Sequence, residues 1–62
     1  MMFQIGDIVM MPADKYEDAA FGFIVDSYWP EKDNKYWQET IYVVKWFDDK
    51  TSKEIASDLK RV

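Results

Sequence analysis

Tyr42, Val44 and Trp46 alternate with Ile41, Val43, Lys45 and Phe47, so the segment Glu39 to Phe47 reads as a β-strand with apolar residues on both faces. Such a strand needs cover on two sides, or a place in a small, strongly curved barrel. Asp48-Asp49-Lys50 closes it as a tight turn. Upstream, Ile8-Val9-Met10-Met11 is a short apolar run that follows Gly6-Asp7 and stops at Pro12, which has no N–H for a ladder hydrogen bond. Phe21 to Trp29, aromatic and β-branched, predicts a second strand ended by Pro30. Within it, Gly22 marks a bulge or a close backbone approach.

The stretches between these runs are polar. Ala13 to Ala20 carries Asp14, Lys15, Glu17 and Asp18 around Tyr16 and lacks the apolar spacing of a stable helix, so it is read as a loop. Glu31 to Lys35 alternates in charge and predicts a hairpin tip with its turn at Asp33-Asn34, and the third strand is expected from Trp37 to Phe47. After the Asp48-Asp49-Lys50 reversal, Thr51 to Ala56 predicts a fourth strand with Ile55 as its main core residue. Ser57-Asp58-Leu59 suits a single 3₁₀ turn, capped by Ser57 and directing Leu59 inward, before a short closing strand, Lys60 to Val62. The expected class is all-β in one domain spanning residues 1–62.

At 62 residues the chain is short of core. A domain of this size buries only ~60% of the surface its unfolded chain exposes. It has no cysteine for a disulfide or a thiolate site, and no histidine. Three tryptophans, four tyrosines and four phenylalanines must supply much of the burial, and a small barrel cannot enclose them all. Tyr42 and Trp46 share a face with Val44 and are expected in the core. No run approaches a membrane span, and the first residues lack the features of a secretory signal, so a cytoplasmic, membrane-free setting is expected. The net charge of −4 repels phosphate backbones and disfavours nucleic acid as a partner.

Residue types also limit the chemistry. Ser27, Ser52 and Ser57 have no histidine to activate them, so no catalytic residue is assigned; a carboxylate pair such as Asp26 with Glu39 is better read as solvated surface. No metal or cofactor is expected: Asp14 to Asp18 does not follow the ligand pattern of a calcium loop, and turn chemistry accounts for Asp48-Asp49. The aromatics leave two readings open. Tyr28-Trp29 and Tyr36-Trp37 could stack across the hairpin as a structural clamp, or the surplus rings could form a binding patch.

Gly6-Asp7-Ile8-Val9, Gly22-Phe23-Ile24-Val25, Tyr42 to Trp46 with Asp48-Asp49, and Ser57 to Val62, in this order, resemble the SH3-like small-barrel group, which includes Tudor and KOW domains. The PsaE-type subunit of photosystem I and small phage-encoded proteins are similar in the same positions. The resemblance implies a five-stranded SH3-like barrel with a 3₁₀ turn before the last strand. It also implies a binding groove between the first long loop and the hairpin tip. Tyr16, Trp29, Trp37 and Phe47 occupy the matching region, flanked by the acids Glu17, Asp18, Glu31 and Asp48. The expected function is a non-catalytic interaction module, a monomer or weak homo-oligomer, that docks on a protein with a basic or Pro-rich surface. The alternatives are a single-stranded or duplex nucleic-acid-binding barrel and a structural subunit of an electron-transfer complex.

Overall fold

The computed structural model describes residues 3–13, 18–35 and 38–62. Five strands follow one another in the chain: β1 (Ile8–Met11), β2 (Ala20–Tyr28), β3 (Ile41–Trp46), β4 (Thr51–Ile55) and, after a 3₁₀ turn at Ala56–Asp58, β5 (Lys60–Arg61). They form one antiparallel sheet in the order β4-β3-β2-β1-β5. The sheet is open. Among the described residues β4 and β5 share no ladder, so the closed barrel expected from the sequence is replaced by a sheet with two free edges.

Register explains which residues are buried. Gly22 opposes both Val9 and Trp46, Ile24 opposes Val44, and Ser27 opposes Tyr42, which places Val9, Ile24, Tyr42 and Val44 on one face. Phe3 and Leu59 cover that face, and Trp46 and Ala56 pack against the cluster. Each fully buried aliphatic or aromatic side chain contributes roughly 1.5–3 kcal/mol, so this set carries most of the stability. Phe3 meets Tyr42 edge-on, with ring centroids 5.4 Å apart and planes at 86°, and its backbone N–H donates to the Tyr42 hydroxyl at 3.1 Å. The opposite face is less protected: Ile41 is buried and Val43 half-buried, whereas Ile8, Phe21 and Tyr28 are partly exposed.

Two irregularities shape β2. The β2–β3 register shifts between Ile24 and Asp26, so the bulge lies at Val25 and not at Gly22. Gly22 instead serves the close approach. A Cβ there would lie 2.6 Å from the Lys45 carbonyl oxygen and 2.9 Å from the Trp46 ring, which lies over the glycine.

Three boundaries differ from expectation. β3 begins at Ile41 because Tyr28 pairs with Ile41 and Pro30 follows, so the described residues 29–35 and 38–40 lie outside the strands in place of a tight hairpin. Its turn is closed by Asn34 N–H donating to the Glu31 carbonyl at 3.0 Å, which centres it on Lys32-Asp33 rather than Asp33-Asn34. The 3₁₀ turn starts one residue early, at Ala56. Ile55 sits in its cap position with no side-chain bond, so Ser57 is not the cap, while Leu59 is buried as its apolar character predicts.

The β3–β4 connection is a three-residue hairpin loop. Trp46 N–H donates to the Lys50 carbonyl at 2.8 Å and Asp49 N–H to the Trp46 carbonyl at 2.9 Å, with Asp49 at a φ of 71°. Asp48 Oδ1 accepts from Lys50 N–H at 3.0 Å, so the two acids are turn residues, as read from the sequence.

Candidate functional site

β2 and β3 each run from one end of the sheet to the other, and the exposed aromatics divide between those ends. At the end where β2 begins, Phe47 N–H donates to the Phe21 carbonyl at 3.0 Å, so the two phenylalanines stand beside each other. Phe47 is 67% exposed and Phe21 42%. They line an open groove of about 580 Å³ together with Met11, Ala19, Ala20, Trp46, Asp48, Lys50 and Thr51, Ser52 and Glu54 of β4. At the far end stands Trp29, 63% exposed, just past β2 and before the buried Pro30. From Gly22 to Tyr28 the strand extends about 20 Å, so Trp29 and Phe47 do not meet.

The other expected site residues distribute in the same way. Asp48 is exposed and lines the groove beside Phe47; Asp18 is exposed, one residue before the groove-lining Ala19; Glu31 is exposed at the Trp29 end. Tyr16, Glu17 and Trp37 lie outside the described residues, as does Tyr36. Of the hairpin clamp only the Tyr28-Trp29 side is described; Tyr28 has Ile41 as its ladder partner and its ring lies under Lys53 Nζ at 5.8 Å. Asp26 and Glu39 do not come together. Asp26 opposes Val43 in the ladder and its carboxylate accepts from Ser27 N–H, whereas Glu39 borders a hollow with Phe3 and Leu59.

A polar chain crosses the groove wall. The Trp46 indole N–H donates to Ser52 Oγ at 2.7 Å, and Ser52 Oγ donates to Glu54 Oε2 at 2.6 Å. Ser52 and Glu54 are two apart on β4, so their side chains share a face, the one to which Trp46 also points. The carboxylate at the end of the chain polarises the hydroxyl, which in turn fixes the indole plane. Sequence reasoning overlooked Phe21, Ser52 and Glu54 as groove residues. The spacing of Ser52 and Glu54 announces a common face, but their meeting with Trp46 depends on the β3–β4 register.

A second open groove of about 350 Å³ lies against the other half of β4, lined by Tyr28, Asn34, Lys35, Ile41, Lys53, Glu54, Ile55 and Asp58. Among the described residues no cluster of carboxylates has the arrangement of a metal site. The assembled geometry is thus an all-β open sheet with two surface grooves flanking one edge strand. No protein-family model, curated protein or solved structure matches this chain.

Proposed function

We propose that this chain is a non-catalytic protein-interaction module of SH3-like type that docks on a larger protein through the groove between the end of the first loop and the β3–β4 turn. The strand order β4-β3-β2-β1-β5, with a 3₁₀ turn before β5, supports the SH3-like reading, in which the gap between β4 and β5 is where such a barrel opens. The observation that carries the docking reading is the pairing of exposed Phe21 and Phe47 over a groove that also contains Trp46, with two acids, Asp48 and Glu54, against one base, Lys50, in its lining. Aromatic faces beside acids favour a basic or Pro-rich segment, because apolar rings and prolines stack while carboxylates attract cations. Trp29 with Glu31 forms a separate exposed point on the opposite end of the sheet.

Titration of the isotope-labelled chain with a Pro-rich peptide carrying Lys or Arg tests this. Amide shifts concentrated at Phe21, Trp46, Phe47 and Asp48, abolished in Phe47→Ala, are expected. A response confined to the Trp29 end, or no response, would reject the groove as the docking site.

The nucleic-acid alternative draws on one observation, the Lys53 ammonium over the Tyr28 ring with Lys35 in the same groove. Glu54 and Asp58 line that groove too and oppose phosphate. Retardation of single-stranded oligonucleotides at low salt, lost as salt rises, is the result that would favour it.

A further inference from the structure

We propose that the partner segment is bound as an added strand along the free edge of β4, an inference that rests on the docking reading above and specifies its geometry. β4 ends the sheet. The bond from Trp46 N–H to the Lys50 carbonyl determines which of its backbone groups face outward. Directly opposed residues in an antiparallel ladder alternate between bonding each other and pointing away. With Trp46 and Lys50 a bonded pair, Val44–Ser52 and Tyr42–Glu54 are bonded pairs as well. Thr51 and Lys53 therefore direct their N–H and C=O groups away from β3, toward a side unpaired among the described residues, and Ile55 so directs its N–H, its carbonyl being taken up by the 3₁₀ turn it caps. That row of donors and acceptors is a template for another strand.

Both grooves border this edge. The larger opens beside Thr51 and Ser52, the smaller beside Lys53 and Ile55, and Glu54 lines both. An extended segment paired to β4 would draw affinity from main-chain bonds and specificity from alternate side chains entering the grooves.

Charge selects the occupant. Glu54 is half-buried, accepts from Ser52 Oγ, and forms no ion pair with a lysine or arginine among the described residues. A cation supplied by the partner would neutralise it in a partly desolvated position, where such a pair is stronger than on open surface. The fitting occupant is a foreign extended segment in which basic residues alternate with aliphatic ones. A second copy fits poorly, because antiparallel self-pairing centred on Lys53 opposes lysine to lysine and the chain's charge of −4 repels its own kind.

Two probes separate the possibilities: a peptide alternating Arg and Val, and a Pro-rich peptide of equal charge that cannot pair as a strand. The Arg-Val peptide should slow hydrogen exchange at the amides of Thr51, Lys53 and Ile55 in the unmodified chain, and Glu54→Gln should weaken its binding several-fold. A synthetic chain with an ester at the Ser52–Lys53 link loses the outward Lys53 N–H and weakens the Ser52 carbonyl, which faces Val44 of β3, as an acceptor. The two peptides are therefore compared on the same ester chain once its melting shows that it is folded. It should bind the Arg-Val peptide about five- to tenfold more weakly and the Pro-rich peptide unchanged. Arg-Val binding without added protection, or with equal affinity for the ester chain, overturns strand addition and leaves the docking reading standing. Silence of the groove residues toward both peptides overturns the two together.

Discussion

Gly22 and Gly6 show how one residue type meets two different demands. Gly22 makes room: the space a Cβ would need is occupied by backbone, the Lys45 carbonyl, and by the Trp46 ring. Gly6 has nothing within reach of a Cβ but adopts a φ of +95°, in the turn where Asp7 N–H donates to the Gln4 carbonyl. We expect Gly22→Ala to destabilise the chain by about 1–3 kcal/mol through overpacking. Gly6→Ala should cost about 1–2 kcal/mol through left-handed strain. D-alanine distinguishes the causes. Thermal melts should show it tolerated at position 6, where φ is positive, and it should not reproduce the Gly22→Ala clash at the same atoms.

At the scale of elements, β4 is held to β3 by a ladder and by one side-chain relay, Trp46 to Ser52 to Glu54. The strand has little apolar content, Ile55 being its only large aliphatic residue, so this relay matters more than it would in a core strand. Ser52→Ala removes the acceptor of the Trp46 indole N–H and the donor to Glu54 together. Because both groups are only half-buried, water replaces part of what is lost and the expected cost is about 0.5–1.5 kcal/mol. Amide and indole hydrogen exchange would report it: the Trp46 Nε1 proton should exchange faster while protection in β1 and β2 stays near its original level. Uniform loss of protection across the sheet would show that the relay holds the whole fold and not the edge alone. The exposed ion pair between Lys45 and Asp49, at 3.7 Å, adds little by comparison.

For the molecule as a whole, long-range closure depends on the N-terminal segment. Phe3 covers the core face, its N–H bonds to the Tyr42 hydroxyl 39 residues away, and Arg61 lies over its ring at 5.4 Å while reaching Asp7 at 3.4 Å. These contacts gather the first and last residues of the described chain onto one side of the sheet. Tyr42→Phe keeps the ring but leaves the buried Phe3 N–H without its acceptor, at a cost of about 1–3 kcal/mol. In a domain of this size each kcal/mol moves Tm by about 4–8 °C, so calorimetry should detect the loss readily. A melting temperature unchanged by Tyr42→Phe would mean that solvent reaches the Phe3 amide.

The all-β class, the cores of all five strands and the burial of Tyr42 and Val44 follow from the chain itself, because alternation along a strand decides face without reference to any neighbour. The turn at Asp48-Asp49-Lys50 is local in the same sense, since its hydrogen bonds run between residues close in sequence. Strand pairing is different. That β2 bulges at Val25, that Tyr28 meets Ile41, and that Phe21 comes beside Phe47 are properties of register between segments some twenty residues apart, and alternation is silent about register. The same holds for the open edge. Whether β4 meets β5 depends on how the segments pack in space, so the tertiary structure alone turns an expected closed barrel into a sheet in which, among the described residues, β4 and β5 do not pair.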